Sequence, residues 1–363
     1  MTVGAFVKLE AMVSIWPRWR WLRGLRGAAL ACCAGGVLGL AGAAQSAQPD
    51  SGVRAPSAGS GERSMSEWLL RLRQSSRVPS YVGTFVVSSV GGALSSARIW
   101  HVRAGGVQME RVETLSGTPR STFRRNDAVV IFLPRSHTVK TEQYQAVGVS
   151  PNLFGADALK STADFYTARQ IGQDRVAGFD ADVVELDPRD SLRFGYRIWS
   201  EKGTGLVIKT QTLDPSDHVL EQAAFSELEL DAPVNVSSLG RMMSRTDGYR
   251  VEKSDPVPTT AEAEGWSMKS AVPGFKPQGC YRRTASALPV VQWIFSDGLA
   301  TVSLFMEPFD AERHPRQGTS AMGATHTLAR RLTSSGTDWW VTAVGEAPVS
   351  TLRAFIDRLE RRK

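Results

Sequence analysis

Cysteine is nearly absent from this chain: three in 363 residues, at Cys32, Cys33 and Cys280. The first two fall in a stretch built like an export leader. Only Cys280 lies beyond it, which excludes an intramolecular disulfide framework and a thiolate metal cluster. It reads as a buried or idle thiol, with an intermolecular bridge as the alternative. Histidine is scarce as well. His101, His137, His218, His314 and His326 have no ligand partner at metal-site spacing. There is no G-x-S-x-G elbow, phosphate-binding loop or dinucleotide fingerprint. The glycines of "GSGERS" and "GTGLVIK" fall in a tether and a strand turn. His101, between Trp100 and Val102 in a strand pattern, reads as structural or surface. Only a small surplus of positive charge remains outside the leader. The formal net charge is +7, but removing residues 1–47 leaves 38 basic and 35 acidic side chains. That excludes the basic stripe of a nucleic-acid binder and leaves a mild preference for acidic partners or anionic lipid headgroups. Together these absences argue against an enzyme and against any cofactor or metal.

What is present begins with the leader, residues 1–47. "RWRWLRGLRG" is basic, "AALACCAGGVLGLAGAA" is apolar and small, and "AAQSAQPD" offers small residues at cleavage spacing, with Met12 as an alternative start. This is the order of a secretory signal peptide. Retention of 27–44 as a membrane anchor is the competing reading. Export across a bacterial inner membrane follows, and with it a periplasmic location. Residues 48–63 form a Gly/Ser/Pro/Ala tether.

Folded structure is expected from residue 64. Ser64 and Glu67 have capping-box spacing, with Met65, Trp68, Leu69 and Leu72 on one helical face. From Tyr81 the period changes to two. "YVGTFVVSSVGGALSSARIWHVRAGGVQMERVETLSG" predicts successive antiparallel strands turning at Gly91-Gly92 and Gly105-Gly106. "DAVVIFLPR" adds a strand, "PNLFGADALKSTADFYTARQIG" a helix or two, and the stretch to Leu230 more alternating strands. The expected fold is α+β: one large curved antiparallel sheet over 64–230 with helices covering its concave side. Residues 231–265 are polar and Pro/Ser-containing, a linker with a short helix around "LGRMMSR". A smaller α+β domain with an antiparallel sheet fills 266–363.

That domain contains "VVQWIFSDGLATVSLFMEPF". With Asp297-Gly298 as a two-residue loop, Phe295 faces Ala300, Trp293 faces Val302 and Val291 faces Leu304, all apolar. The other face, Ile294 with Thr301 and Gln292 with Ser303, is mixed. "DWWVTAVGE" supplies another strand. "APVSTLRAFIDRLERR" supplies a helix with Leu352, Phe355, Ile356 and Leu359 on one side and Pro348 in its first turn.

Several segments carry a resemblance. "VQWIFSDGLATVSLFMEP", "GTSAMGATHTLARR" and "WWVTAVGEAPVSTLRAFIDRLE", with "YVGTFVVSSVGGALSSARIWHV", "VETLSGTPRSTFRRND" and "DPRDSLRFGYRIWSEKGTGLVIKTQTLDPSDHVLEQAAF", are similar in pattern and order to the RseB/MucB family of periplasmic sigma-E regulators, over about 66–362. "GCYRRTAS" and "MMSRTDGYRVEK" depart from it. The resemblance implies a half-open β-barrel of lipoprotein-carrier type for the larger domain. It implies a smaller domain that binds the periplasmic segment of an RseA/MucA-like anti-sigma factor and shields it from the site-one protease. The half-barrel would sense a lipid, lipopolysaccharide or a mislocalised lipoprotein, and occupancy would weaken the grip on the partner.

Phe85, Val87, Trp100, Val102, Ile198 and Val207 are the candidate lipid-lining residues, with a plain core role as the alternative. Trp293, Asp297 and Gly298 are candidates for partner contact, the alternative being a tight turn and a core Trp. Arg282, Arg283, Arg330 and Arg331 would suit an acidic partner or a lipid phosphate, or simply be solvated. Residues 231–265 are the expected hinge. A periplasmic carrier of lipid or lipoprotein and an envelope enzyme with an unrecognised site are the rival functions. A homo-oligomer is left open.

Overall fold

The computed structural model describes residues 67–68, 78–126, 128–143, 162–253, 256–285, 288–314, 316–334 and 336–362. The leader, the tether and most of the first expected helix lie outside them, as does 151–161 of the second helical region.

The period-two stretches become strands as their alternation requires. β1 (Ser80–Ser89), β2 (Leu94–Ala104), β3 (Val107–Thr114), β4 (Ser121–Arg125), β5 (Ala128–Leu133) and β6 (Thr138–Gln143) follow one another as hairpins. The β1–β2 and β2–β3 turns place Gly91, Gly92, Gly105 and Gly106 at positive φ, where a side chain would be strained. β7 (Tyr166–Val176), β8 (Phe179–Pro188), β9 (Gly195–Glu201), β10 (Val207–Leu213) and β11 (Val219–Leu230) form a second run of hairpins. β11 joins the runs by pairing antiparallel with β1, Phe85 opposite Phe225. Residues 162–165 are helical, and the chain enters β7 at Tyr166, inside the region expected to be helix.

The segment expected as a polar linker carries α1 (Val236–Ser244) and β12 (Arg250–Lys253). Asn235 caps α1 by accepting from the Ser238 amide at 2.7 Å. α1 packs Leu239 against Val102 and Met109. β12 then pairs parallel with β6, an exception in an otherwise antiparallel sheet of twelve strands ordered β12-β6-β5-β4-β3-β2-β1-β11-β10-β9-β8-β7. The polar composition of this segment fits short edge elements that bury few side chains.

The smaller domain begins with β13 (Val257–Thr259), β14 (Trp266–Met268), β15 (Lys276–Ala285), β16 (Leu288–Ser296) and β17 (Thr301–Pro308). It continues with β18 (Gly318–Met322), β19 (Thr325–Ser334), β20 (Thr337–Gly345), α2 (Val349–Arg358) and β21 (Leu359–Arg361). Seven strands form a sheet ordered β13-β15-β16-β17-β20-β19-β18, and β14 pairs with β21 beside it. α2 starts after Pro348 and buries Leu352, Phe355 and Ile356 against Trp293, Phe295, Val302, Leu304 and Val341. Leu359 joins the same core from β21.

The β16–β17 hairpin differs from the sequence expectation by two residues of register. Its loop has four residues, Asp297 to Ala300, so Phe295 faces Val302, Trp293 faces Leu304 and Val291 faces Met306. Asp297 makes the longer loop: its Oδ1 accepts from the Leu299 and Ala300 amides at 2.9 and 2.7 Å, and Gly298 takes φ +102°. A shift of two keeps every side chain on its face, so the paired face stays apolar, with Met306 joining it and Ala300 passing into the loop. Among the described residues no helix is long and apolar enough to cross a membrane.

Candidate functional site

The six candidate lining residues do not share one surface. Phe85 and Val87 pack in a cluster with Ile99, Val112, Trp199 and Phe225. Trp100 and Val102 alternate with Ile99 and His101 along β2, so they point to the other side, toward α1. There the Trp100 ring lies under the Arg111 guanidinium at 4.6 Å. Ile198 and Val207 belong to a third cluster with Trp68, Tyr166 and Leu299, the last of these from the smaller domain.

Trp293 is buried in the core of the smaller domain, its ring 4.7 Å from that of Phe295. Each candidate arginine has an intramolecular partner. Arg282 pairs with Glu264 at 2.6 Å, and Arg283 donates to the Gln292 side chain at 2.5 Å. Arg330 pairs with Asp357 at 2.5 Å, and Arg331 pairs with Asp338 while covering the Phe309 ring at 4.4 Å. Burial opposes ionisation of Glu264, but hydrogen bonds from Arg282 and Thr259 hold its pKa below the ordinary glutamate value.

Asp297 is where the two domains meet. The β8–β9 loop carries Asp190 and Arg193 out of the larger sheet, and Arg193 Nε donates to Asp297 Oδ2 at 2.8 Å with both side chains fully buried. Arg193 also pairs with Asp190 and donates from Nη2 to the Pro273 carbonyl at 2.6 Å. Its guanidinium lies 4.2 Å from the Phe165 ring centroid and 5.0 Å from that of Phe275. Gly274 makes room for it: a Cβ there would meet Arg193 Nη2 at 2.0 Å, and φ is +78°. A planar cation with five donors, two carboxylates, one carbonyl and two ring faces is how an arginine is buried without an unmet charge. Burial raises the Asp297 pKa, and Arg193 with the two loop amides opposes that rise.

The junction has other contacts. Thr351 Oγ1 at the start of α2 donates to the Leu192 carbonyl at 2.7 Å, and Ser350 Oγ to the Ser191 carbonyl at 3.3 Å. The Phe194 and His326 rings lie 5.5 Å apart. The β18–β19 turn sits against the larger sheet, where a Cβ on Gly323 would lie 2.7 Å from Ser89 Oγ and 2.4 Å from Glu221 Oε2.

The Phe85 cluster has a buried ionic group at its edge. His101 Nδ1 lies 2.9 Å from Glu110 Oε1, and the His101 ring stacks on Tyr81 at 4.7 Å. Burial opposes ionisation of Glu110, and the His101 hydrogen bond and charge hold its pKa low. Among the described residues no group of three His, Cys, Asp or Glu side chains is placed to hold a metal.

Set against known families, residues 64–243 match the MucB/RseB N-terminal domain and residues 260–360 the MucB/RseB C-terminal domain. The chain belongs to the MucB/RseB family. The sigma factor AlgU regulatory protein MucB of Pseudomonas aeruginosa is 28% identical over 296 residues, covering 79% of this chain and 87% of that protein. The sigma-E factor regulatory protein RseB of Haemophilus influenzae is 24% identical over 281 residues, covering 76% and 85%. The solved MucA/MucB complex of Pseudomonas aeruginosa superposes with a TM-score of 0.65 at 27% identity, covering 82% of this chain and 99% of that chain. A structure of MucB with MucA(peri) gives 0.63 at the same identity and coverage. These MucB/RseB relatives are named as regulators, and the family is one of regulatory proteins, not enzymes.

The sequence reading missed Arg193, Asp190, Gly274, Phe165 and Phe275. Arg193 sits in the N-terminal MucB/RseB domain, and Gly274, Phe275 and Asp297 sit in the C-terminal one. No local pattern marks an arginine in a hairpin loop as buried. The one usable signal was the loop "PRDSLRFG", which sets Leu192 and Phe194 beside charges where a solvated turn would have polar residues.

Proposed function

We propose that this chain is a periplasmic regulator that binds the periplasmic domain of an RseA/MucA-like anti-sigma factor, shields it from proteolysis and so restrains a sigma-E envelope stress response. Lipid, lipopolysaccharide or a mislocalised lipoprotein sensed by the larger domain releases the partner. The observation that carries this reading is the match of both domains to the MucB/RseB family, with two MucB structures solved in complex with MucA superposing over 82% of the chain. The periplasmic location follows from the leader and from that partner.

The apolar cluster around Phe85, Ile99, Trp199 and Phe225 supports a lipid-sensing role for the larger sheet. The Arg193 junction supports transmission. β9 starts two residues after Arg193 and carries both Ile198 and Trp199, so a ligand that displaces β9 would also load the contact with Asp297. A coupling of ~1–3 kcal/mol would be enough for a graded release. The β8–β9 loop would then act beside the expected hinge at residues 231–265. A simple lipid carrier would have no use for a second domain fixed through a buried ion pair.

The test is protease protection. The exported chain is mixed with the purified periplasmic domain of the anti-sigma factor from the same organism and challenged with the site-one protease, with and without lipopolysaccharide. Protection that lipopolysaccharide abolishes is expected. Absence of binding would end the proposal, and binding unaffected by any lipid would end its sensing half.

A further inference from the structure

The two large sheets have four terminal strands, and three of them are guarded against pairing with another chain. β12 has four residues, of which Arg250, Glu252 and Lys253 are charged. β13 has three residues with Pro258 in the middle. β7 carries a bulge between Gln170 and Gly172 and the charged Arg169, Asp174 and Arg175. These are the usual devices that keep a sheet edge from recruiting strands.

β18 has none of them. Gly318-Thr319-Ser320-Ala321-Met322 contains no charge and no proline, and all five residues are exposed. It pairs with β19 from Gly318 opposite Ala329 to Met322 opposite Thr325 without a register shift. Among the described residues β19 is its one neighbour in the sheet. An antiparallel edge strand of this kind turns alternate N–H and C=O groups outward.

Its position adds a second feature. β18 ends at Met322, and the turn residue that follows it, Gly323, sits against Ser89 of the larger domain. The next residue on that side, Val90, is 63% exposed, Leu94 is 70% exposed, and Met322 itself is 46% exposed. An extended segment pairing along β18 and continuing past Met322 would therefore run onto exposed apolar side chains of the other domain.

We propose that the β18 edge is the docking strand for an extended segment of the anti-sigma factor's periplasmic domain. The segment adds an eighth strand to the smaller sheet, and an apolar residue beyond its paired stretch rests on Met322, Val90 and Leu94. This deepens the function proposed above and rests on it. Main-chain hydrogen bonds supply the grip, and the apolar end supplies register and direction. Because the paired segment would touch both domains, a change in their relative position would strip its apolar end first. That gives a physical route by which an event at the junction loosens a partner held on a strand.

Hydrogen exchange on the full exported chain tests this, with the purified periplasmic domain of the anti-sigma factor as probe. Binding is expected to slow exchange of the outward amides in 318–322 by at least about tenfold. Single variants Thr319→Pro, Ser320→Pro and Ala321→Pro read the same edge. Where the amide points outward, proline should leave the melting temperature unchanged and weaken binding at least about tenfold. Where it points to β19, stability should fall. Val90→Ser with Leu94→Ser should weaken binding without altering the fold. Binding with 318–322 unprotected overturns the edge and leaves the function proposal standing, even if the proline variants fail to fold. Absence of any binding overturns both. Protection that grows with this protein's own concentration, without the probe, means that a second copy occupies the edge and overturns the proposal.

Discussion

Arg193 Nε donates to Asp297 Oδ2 at 2.8 Å across the boundary between the two sheets, and neither side chain is exposed. Removing one partner leaves a buried charge short of its counter-ion, although Arg193 retains Asp190. Asp297→Ala and Arg193→Met are each expected to destabilise the protein by about 3 kcal/mol. The double variant should cost less than the sum, with a coupling above about 1 kcal/mol in denaturant titrations. Additive losses would mean that the pair contributes no specific coupling between domains.

Gly274 is required by its neighbour as much as by its backbone. Gly274→Ala puts a methyl where Arg193 Nη2 lies and strains a residue at φ +78°. The expected loss is about 3 kcal/mol, from backbone strain and from displacing the guanidinium. Combined with Arg193→Met, the same substitution should cost less, about 2 kcal/mol, because the backbone strain and the close approach to the Phe165 ring at 2.7 Å remain. Equal losses in both backgrounds would show that Arg193 is not what excludes the methyl.

His314 gives the smaller domain a pH dependence. Its Nδ1 accepts from the Asp310 amide at 3.0 Å and its ring stacks on Trp340 at 4.8 Å, an arrangement that needs the neutral imidazole. Burial lowers its pKa from the ordinary 6.5, with Glu307 opposing. The unfolded chain therefore takes up the proton first as pH falls. Stability is full above 6.5 and declines as pH drops through the lower folded value. Unfolding free energies measured between pH 7.5 and pH 5, roughly one unit either side of the histidine range, should show this slope, and His314→Gln should remove it. An unchanged slope in the variant would assign the dependence to other groups.

Cys280 should be silent in the folded protein. Burial pushes its thiol pKa up to about 12, and the side chain lies in the core of the smaller domain. Alkylation with iodoacetamide at mildly alkaline pH is expected to leave it unmodified, and to go to completion in denaturant. Rapid labelling of the native chain, read by mass spectrometry, would contradict its placement.

Much of the fold was legible because it is local. Period-two alternation and Gly-Gly turns announced β1 to β3, and the spacing of Leu352, Phe355 and Ile356 announced α2. The β16–β17 face was legible for the same reason, though not its register, since a shift of two leaves the pattern intact and Asp297 selects the longer loop through its own hydrogen bonds. The candidate lining residues were harder. Alternation pairs Phe85 with Val87 and Trp100 with Val102, but the strand register, Phe85 opposite Ala97 and Val82 opposite Trp100, sends the two pairs to opposite sides.

By itself the sequence determined most of the strands, though not where β7 begins or that β12 and β13 form, which side of those strands is apolar, and, through its family patterns, the class of protein. Those properties depend on residues within a few positions of one another. The tertiary structure alone decided what the charged side chains do. Arg193 and Asp297 lie 104 residues apart, and Arg282, Arg330 and Arg331 find their acids on neighbouring strands, a loop or a helix. An ion pair is set by position in space, and a chain read in order carries no record of which distant turn will fold against which.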